Sequence, residues 1–422
     1  MPIKDIQQAL SCASCSLLGL AAPAAVAAEA WDIDLGLMSY IEQDRNTGIE
    51  FLLNARRELA DGDEVFVGLE IDTLTGATPN GATPSNVVQT FTQSSGDGSY
   101  QVAAGELPAD DTHMDTRLAV EAGYTDQVSS QFAIGYDGHI SMEFDYLSFG
   151  FGNNYQWDLD RRNTSLYVGI YGEYNRVHPV GNIPLPLSLM TPAGTLQNRR
   201  GSADTRTAAE LSLGLTQVID RRSLVQLRFT QSYFEGYLND PYKLLSVIDD
   251  QNPANLGATL AYRFENRPES RDLSTVYLAY KRELERGVLD VSLRYSSDDW
   301  EVLASALDMR FRYRLSGKRY LQPHLRWYRQ QEAEFYRYNL VSSEALPEYA
   351  SADTRLATFD AITIGLKYGF AANKEGTHSI AAEYYTQQGD GEPDEAIGLQ
   401  QDQDLFPTLN TLIIKYLFST RW

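Results

Sequence analysis

Hydrophobic and polar positions alternate with a period of two along most of this chain. Trp31, Ile33, Leu35 and Leu37 take turns with Asp32, Asp34 and Gly36, and Val65, Val67, Leu69 and Ile71 with Phe66, Gly68, Glu70 and Asp72. The pattern recurs at Leu166, Val168 and Ile170, at Leu211, Leu213 and Leu215, at Phe311, Tyr313 and Leu315, and at Ile362, Ile364, Leu366 and Tyr368. Successive side chains of a strand point to opposite faces, so each run predicts a strand with one apolar and one polar face. The last stretch, 411–422 (TLIIKYLFSTRW), alternates as well and stops on an aromatic residue. Transmembrane β-barrels finish in this way, because the last strand must pair with the first to abolish the sheet edges.

The connections sort into two kinds. Short polar turns fall at 44–48, 60–63, 160–163, 220–223, 285–287, 316–319 and 372–376, and long ones at 75–112, 178–204, 238–271, 336–354 and 389–408. In an outer-membrane barrel the short turns and both termini face the periplasm and the long loops face outside. Every long loop must therefore follow an odd-numbered strand. Counting 257–264 as a membrane strand gives seventeen strands and puts 336–354 on the wrong side; placing it inside the preceding external loop leaves sixteen. The predicted strands are 31–43, 49–59, 64–74, 115–125, 129–145, 148–159, 164–177, 205–219, 224–237, 272–284, 288–297, 302–315, 320–335, 357–370, 378–388 and 409–421. The expected fold is an all-β transmembrane antiparallel β-barrel with long extracellular loops and short periplasmic turns.

Composition agrees with a wet-lumened barrel. The net charge of −22 argues against a nucleic-acid partner, which needs a basic footprint. Acidity of that size suggests disorder when aromatics are few, but this chain has 26 Tyr, 16 Phe and 5 Trp. Residues 1–28 combine Lys4, an apolar run through Leu17, Leu18 and Leu20, and the small-x-small pattern Ala25-Val26-Ala27, the features of a secretory signal peptide. Residues 29–422 then form a single barrel domain. Both cysteines, Cys12 and Cys15, lie in the signal, so the mature chain is expected to lack disulfides and Cys-ligated metals.

With the Val, Leu and Ile faces turned to lipid, the opposite faces line the lumen. One wall receives Asp32, Asp34, Glu70, Asp72, Glu143 and Asp145; the other receives Arg228, Lys281, Arg294, Arg310, Arg312, Arg314 and Arg326, with His324 among them. Acid facing base gives a transverse field that orients polar solutes; the alternative is that the two walls pair across a closed lumen. The loop 389–404 gathers Asp390, Glu392, Asp394, Glu395, Asp402 and Asp404 without a basic residue, which reads more readily as a solvated acidic loop than as a cation site. No G-x-S-x-G, H-E-x-x-H or phosphate-binding glycine loop is present. His378 and Ser379 are sequence neighbours, which a strand turns to opposite faces. No enzymatic role, no cofactor and no metal site are expected.

Several local motifs resemble a bacterial family catalogued as domain of unknown function 3570: DTLTGATPNGA at 72–82, SxExDY at 141–146, DPYK at 240–243, NRPESR at 266–271, DDW at 298–300 and YRQQEAEFY at 328–336. The resemblance implies an outer-membrane barrel without an assigned activity. It also implies a link to extracytosolic redox or flavin chemistry through a periplasmic redox or lipoprotein partner. The strand count places every motif at an external strand end or loop. Pro79, Asn80, Arg267, Arg271, Asp298, Asp299, Trp300, Glu334 and Tyr336 are therefore expected to form a collar at the outer rim, with Arg267 and Arg271 paired to Asp72, Glu143, Asp145 or Asp298. Two functions follow: a passive or partner-gated conduit for small polar solutes or ions, or a non-conducting sleeve that docks a periplasmic or surface redox partner. Outer-membrane lipids, lipopolysaccharide and the barrel-assembly machinery are the expected surroundings.

Overall fold

The computed structural model describes residues 30–422 apart from 44, 94–96, 111–113, 196–197 and 373–375; the expected signal peptide and its cysteines lie outside the described residues. Sixteen strands close into one antiparallel barrel. In chain order they are β1 (Trp31–Glu42), β2 (Asn46–Glu58), β3 (Glu64–Gly76), β4 (Met114–Ser129), β5 (Phe132–Met142), β6 (Tyr146–Leu159), β7 (Thr164–Val177) and β8 (Asp204–Asp220), followed by β9 (Ser223–Gly236), β10 (Ser270–Leu284), β11 (Gly287–Asp298), β12 (Leu303–Arg314), β13 (Tyr320–Gln330), β14 (Phe359–Ala372), β15 (Gly376–Gly389) and β16 (Leu409–Arg421). The seam is a full ladder from Asp32↔Arg421 to Glu42↔Thr411. Trp31 and Trp422 finish it by exchanging main-chain hydrogen bonds of 2.7 and 2.8 Å. A closed ladder leaves no unpaired N–H or C=O row, which is what lipid demands.

Side-chain alternation fixes the two faces. Leu37, Phe51, Ile71, Val120, Ile140, Phe151, Ile170, Leu213, Leu278, Leu293, Ile364 and Ile414 are all exposed on the outer surface and form an apolar belt. Stacked rings mark its periplasmic border, where His378 lies between Phe370 and Phe418 and donates to or accepts from the Tyr416 hydroxyl at 2.7 Å. Aromatic residues favour this boundary because one end of the ring is apolar and the other is wet.

The boundaries shift at the outer rim. β5 ends at Met142, three residues before the expected end, because a tight hairpin closed by Glu143 N–H to Tyr146 O (2.7 Å) turns the chain there. β13 ends at Gln330, not 335, as the chain leaves the wall to join the loops. The segment Thr259–Phe264 lies in an external loop, where it pairs antiparallel with Leu244–Ile248; that strand in turn pairs parallel with Asn339–Val341 of another loop.

The apolar core of this protein is in its external loops. The wall buries a few side chains, Asn175, Thr411 and Ile413 among them, but the large apolar side chains are surrounded mainly where the loops pack on one another and on the strand ends. Phe91, Leu245 and Ile248 are at most 1% exposed. Trp300, Phe335, Tyr336, Leu356, Phe359 and Phe406 form one cluster; Ala82, Phe91, Leu244 and Phe264 a second; Leu187, Leu245, Leu340 and Ala350 a third. Main-chain hydrogen bonds interlock the loops: Leu244 to Asn80, Met190 to Tyr262, Phe264 to Ser188, Asn266 to Ala350 and Leu399 to Leu256. Gly257 and Gly398 both take positive φ (82° and 52°), and each packs on the other loop's main chain so closely that a Cβ would strike it. The loops make a folded cap.

Candidate functional site

The register turns Arg228, Lys281, Arg294, Arg310, Arg312, Arg314 and Arg326 to the interior, on β9 to β13. It turns Asp32, Asp34, Glu70 and Asp72 inward on β1 and β3. Glu143 and Asp145 are not in the wall. They occupy the outer hairpin after β5, where the Tyr242 hydroxyl donates to Asp145 Oδ2 at 2.6 Å. Acidic residues that alternation alone did not single out complete that side of the lumen: Glu50, Glu121, Asp137, Glu173 and Glu210 on β2, β4, β5, β7 and β8.

Charges in the wall pair with neighbours along the wall. Arg117 on β4 holds Asp72 (2.6 Å) and Glu70 of β3. Lys281 meets Asp290 (3.1 Å), Arg310 meets Asp308 (3.1 Å), and Lys415 meets Glu383 (2.8 Å). His324 bridges Asp308 and Glu383 at 3.0 and 3.1 Å. Each of these ion pairs joins strands no more than two apart. Large side chains also lie flat: Tyr171 covers Gly150, Tyr167 covers Gly169, Tyr320 covers Gly369 and Glu383 covers Gly365, each where a Cβ would collide with it. Arg228, Arg294, Arg312 and Arg314 are exposed although they point inward.

The collar residues meet only in part. Arg271 pairs with Asp298 (Nε to Oδ2, 2.7 Å) and stacks over Trp300, 4.7 Å from its ring. Trp300 is 4% exposed, packs edge-on against Phe335 at 5.1 Å, and donates from its indole to Ser270 O at 2.8 Å. Asp299 accepts from the Asp272 N–H (2.9 Å), and the Glu334 N–H bonds Trp300 O (2.9 Å). Tyr336 stacks edge-on with Tyr338. Pro79 and Asn80 belong to a different contact, beneath the loop after β9: Asn80 accepts from the Leu244 N–H and donates to the Tyr100 hydroxyl, and Pro79 O accepts from Lys243 Nζ. Arg267 pairs with none of Asp72, Glu143, Asp145 or Asp298. Its fork holds Glu265 and Asp353, each at 2.7 Å, because the turn at 266–269 folds it into the cap interior and away from the rim.

That contact is the centre of a buried charge cluster. Asp240, Lys243, Glu265 and Arg267 come from the loop after β9, and Asp353 and Arg355 from the loop after β13. Arg355 reaches Asp240 at 2.6 Å and Asp353 through Nε at 2.7 and 2.8 Å. Ser351 Oγ donates to Glu265 at 2.5 Å, and the Asp240 N–H donates to it as well. Three anions and three cations balance. Burial alone pushes Asp353 up, but Arg355, Lys243 and Arg267 outweigh it and hold its carboxyl well below the usual range. Asp240 is likewise held low against burial, chiefly by Arg355, whereas burial leaves Glu265 raised and Lys243 lowered.

A sequence model of the family described as "Protein of unknown function (DUF3570)" matches residues 7–420. The chain belongs to this family. No curated protein matches it in sequence. Among solved structures it is similar to the ferric enterobactin receptor of Pseudomonas aeruginosa (10% identity, TM-score 0.44), covering 93% of this chain and 59% of the receptor. It is also similar to a bacterial polysaccharide outer membrane secretin (9%, 0.45, 94% and 100%) and to the siderophore receptor PirA of Acinetobacter baumannii (9%, 0.41, 86% and 54%). The chain spans about three-fifths of the first receptor's length. This DUF3570 chain is an outer-membrane β-barrel by its own closed ladder and apolar belt.

Sequence reasoning singled out Arg267 in this DUF3570 chain but missed Asp353 and Arg355, since a charged loop residue ordinarily stays wet. The signal was the small apolar run around them, Ala350, Ala352, Leu356 and Ala357, all buried. Acid tests the cluster. Asp353 and Asp240 have depressed folded values, so the stability they give is present above the ordinary carboxylate pKa of about 4 and is lost as pH falls through those lower values. Glu265 has the opposite sign: its ionised form costs stability, so mild acid does not weaken the cap through it. Pepsin digestion should therefore leave the external loops intact near pH 5 and cut them only below about pH 4. Cutting that is already complete at the upper value would contradict the assignment.

Proposed function

We propose that this outer-membrane barrel is a conduit for small polar solutes or ions whose outer mouth is covered by a folded cap that a partner opens. The arrangement of charge in the wall supports the reading: Arg117 with Glu70, Lys281 with Asp290 and Lys415 with Glu383 pair along the wall, while Arg228, Arg294, Arg312 and Arg314 point inward and stay exposed, so that a field acts on the lumen. Such a field aligns dipolar solutes during passage. The chain acts without a catalytic group in this reading. His378 faces lipid and Ser379 the interior, and Ser148, although 3.2 Å from His139, is 4% exposed and out of a solute's reach. Lipid and lipopolysaccharide surround the belt, and β16 supplies the terminal strand that assembly requires.

Conductance of the refolded barrel in a planar bilayer tests this. We expect brief, ion-selective openings in the intact protein, steady ones when Arg267→Met loosens the cap, and a shifted reversal potential when Arg310, Arg312 and Arg314 are changed to Gln. A folded barrel that stays silent with its cap loosened would sink the conduit. The second reading, a sleeve that docks a periplasmic or surface redox partner, is favoured by the loops' packing into a folded cap around three buried apolar clusters. It predicts that silence.

A further inference from the structure

The periplasmic half of the barrel interior carries two cations, Arg312 and Lys367, that form no ion pair with the carboxylates beside them on the wall. Arg312 lies two residues from the periplasmic end of β12, and its guanidinium sits 3.8 Å from the centre of the Tyr320 ring. That ring lies flat over Gly369, where any side chain would collide with it. Tyrosine and guanidinium are therefore stacked in layers on the barrel wall, with Arg312 on the bore side and exposed. A ring on one face leaves the in-plane N–H edge free. That edge is the fork that matches a carboxylate or phosphate.

Lys367 stands on β14 beside this stack. It pairs in register with Gln322 of β13, the strand that intervenes between it and Arg312. The charges around Lys367 are three of its own sign, Arg312, Lys415 and Arg310, and two opposite, Glu383 and Asp34. Glu383 is already committed to Lys415 and His324, and Asp308 to Arg310 and His324. Among the described residues no carboxylate forms an ion pair with Arg312 or Lys367. Like charges held together in a partly buried wall repel, and a bound oxyanion relieves that repulsion.

We propose that Arg312, Lys367 and the Gln322 amide form an oxyanion-binding station on the periplasmic side of the bore, taking the phosphate or carboxylate group of a small solute. Arg312 supplies the fork, Lys367 the point charge, and Tyr320 fixes the plane of the guanidinium. The station rests on the conduit reading for its purpose but not for its chemistry, which the wall presents whether or not ions pass through. The layered ring also makes a lysine a poor substitute at position 312, because an ammonium has no planar fork to lay on tyrosine.

Calorimetric titration of the full-length barrel in detergent with inorganic phosphate, and separately with acetate and succinate, tests the station. Folding of each variant is checked by heat-modifiable mobility. Saturable phosphate binding is expected, weakened about tenfold by Arg312→Gln or Lys367→Gln and less by Tyr320→Leu, in line with the loss of one charge-assisted contact. Arg312→Lys should fall between wild type and Arg312→Gln. Tighter binding of phosphate than of the carboxylates assigns phosphorylated solutes; the reverse order assigns organic acids. No saturable binding of any of the three, or binding indifferent to both charge-removing variants, overturns the station. Bilayer recordings separate the two readings: a silent barrel that binds one of the three anions through Arg312 keeps the station and loses the conduit, while a conducting barrel that none of the three binds or blocks keeps the conduit and loses the station.

Discussion

Arg267→Met is expected to destabilise the outer cap by about 3–5 kcal/mol while leaving the barrel wall intact, the usual cost of removing one partner from a buried ionic group. Arg267 is 7% exposed, and the side chains of Glu265 and Asp353, which it bridges, are each 1% exposed. Taking it away leaves three anions facing two cations where water cannot reach. Hydrogen exchange measured by mass spectrometry should show protection falling by about two orders of magnitude or more in Leu244–Ile248, Thr259–Phe264 and Asn339–Val341, the strands that join the two loops. The ladders of β1 to β16 should be unchanged. Adding Glu265→Gln should recover part of the loss, because it removes the uncompensated charge. Unaltered exchange in those three segments would mean that the apolar clusters alone hold the loops together.

Trp300→Ala should cost a similar amount, about 3–5 kcal/mol, through a different route: a large buried side chain is deleted and its site cannot fully collapse. The ring fills the space between Phe335 and Arg271. Its loss also leaves Ser270 O without the indole donor and leaves the short hairpin between β11 and β12 tied to the segment at 331–336 by main-chain hydrogen bonds alone. Trp300→Phe keeps most of the packing and loses the hydrogen bond, so it should cost only about 1 kcal/mol. Protease nicking at 331–338 should accelerate strongly in the first variant and little in the second. Equal behaviour of the two would assign the anchoring to the hydrogen bond and not to the volume.

The sequence by itself determined the barrel. Alternation marked the strands, and the requirement that long loops share one side placed 257–264 outside the membrane, as its pairing with 244–248 bears out. These features were legible because period two is local: each residue's face follows from its neighbours, whatever the rest of the chain does. The rim was less legible. Glu143 and Asp145 continue an alternating run on paper, yet a hairpin takes them out of the wall, since turn closure depends on Tyr146 across the gap.

Only the tertiary structure decided what the loops are. Asp353 and Arg355 look solvated in sequence, and Arg267 has several acidic candidates within the same motifs. Their partners lie up to 115 residues apart and are chosen by how five loops pack over one mouth. Burial of a charge is a property of that packing and has no period to betray it. The same holds for Arg312 and Lys367. Each reads as one more polar position on a strand, and only the closed wall sets them on either side of one strand, Gln322's, without an ion-pair partner beside them.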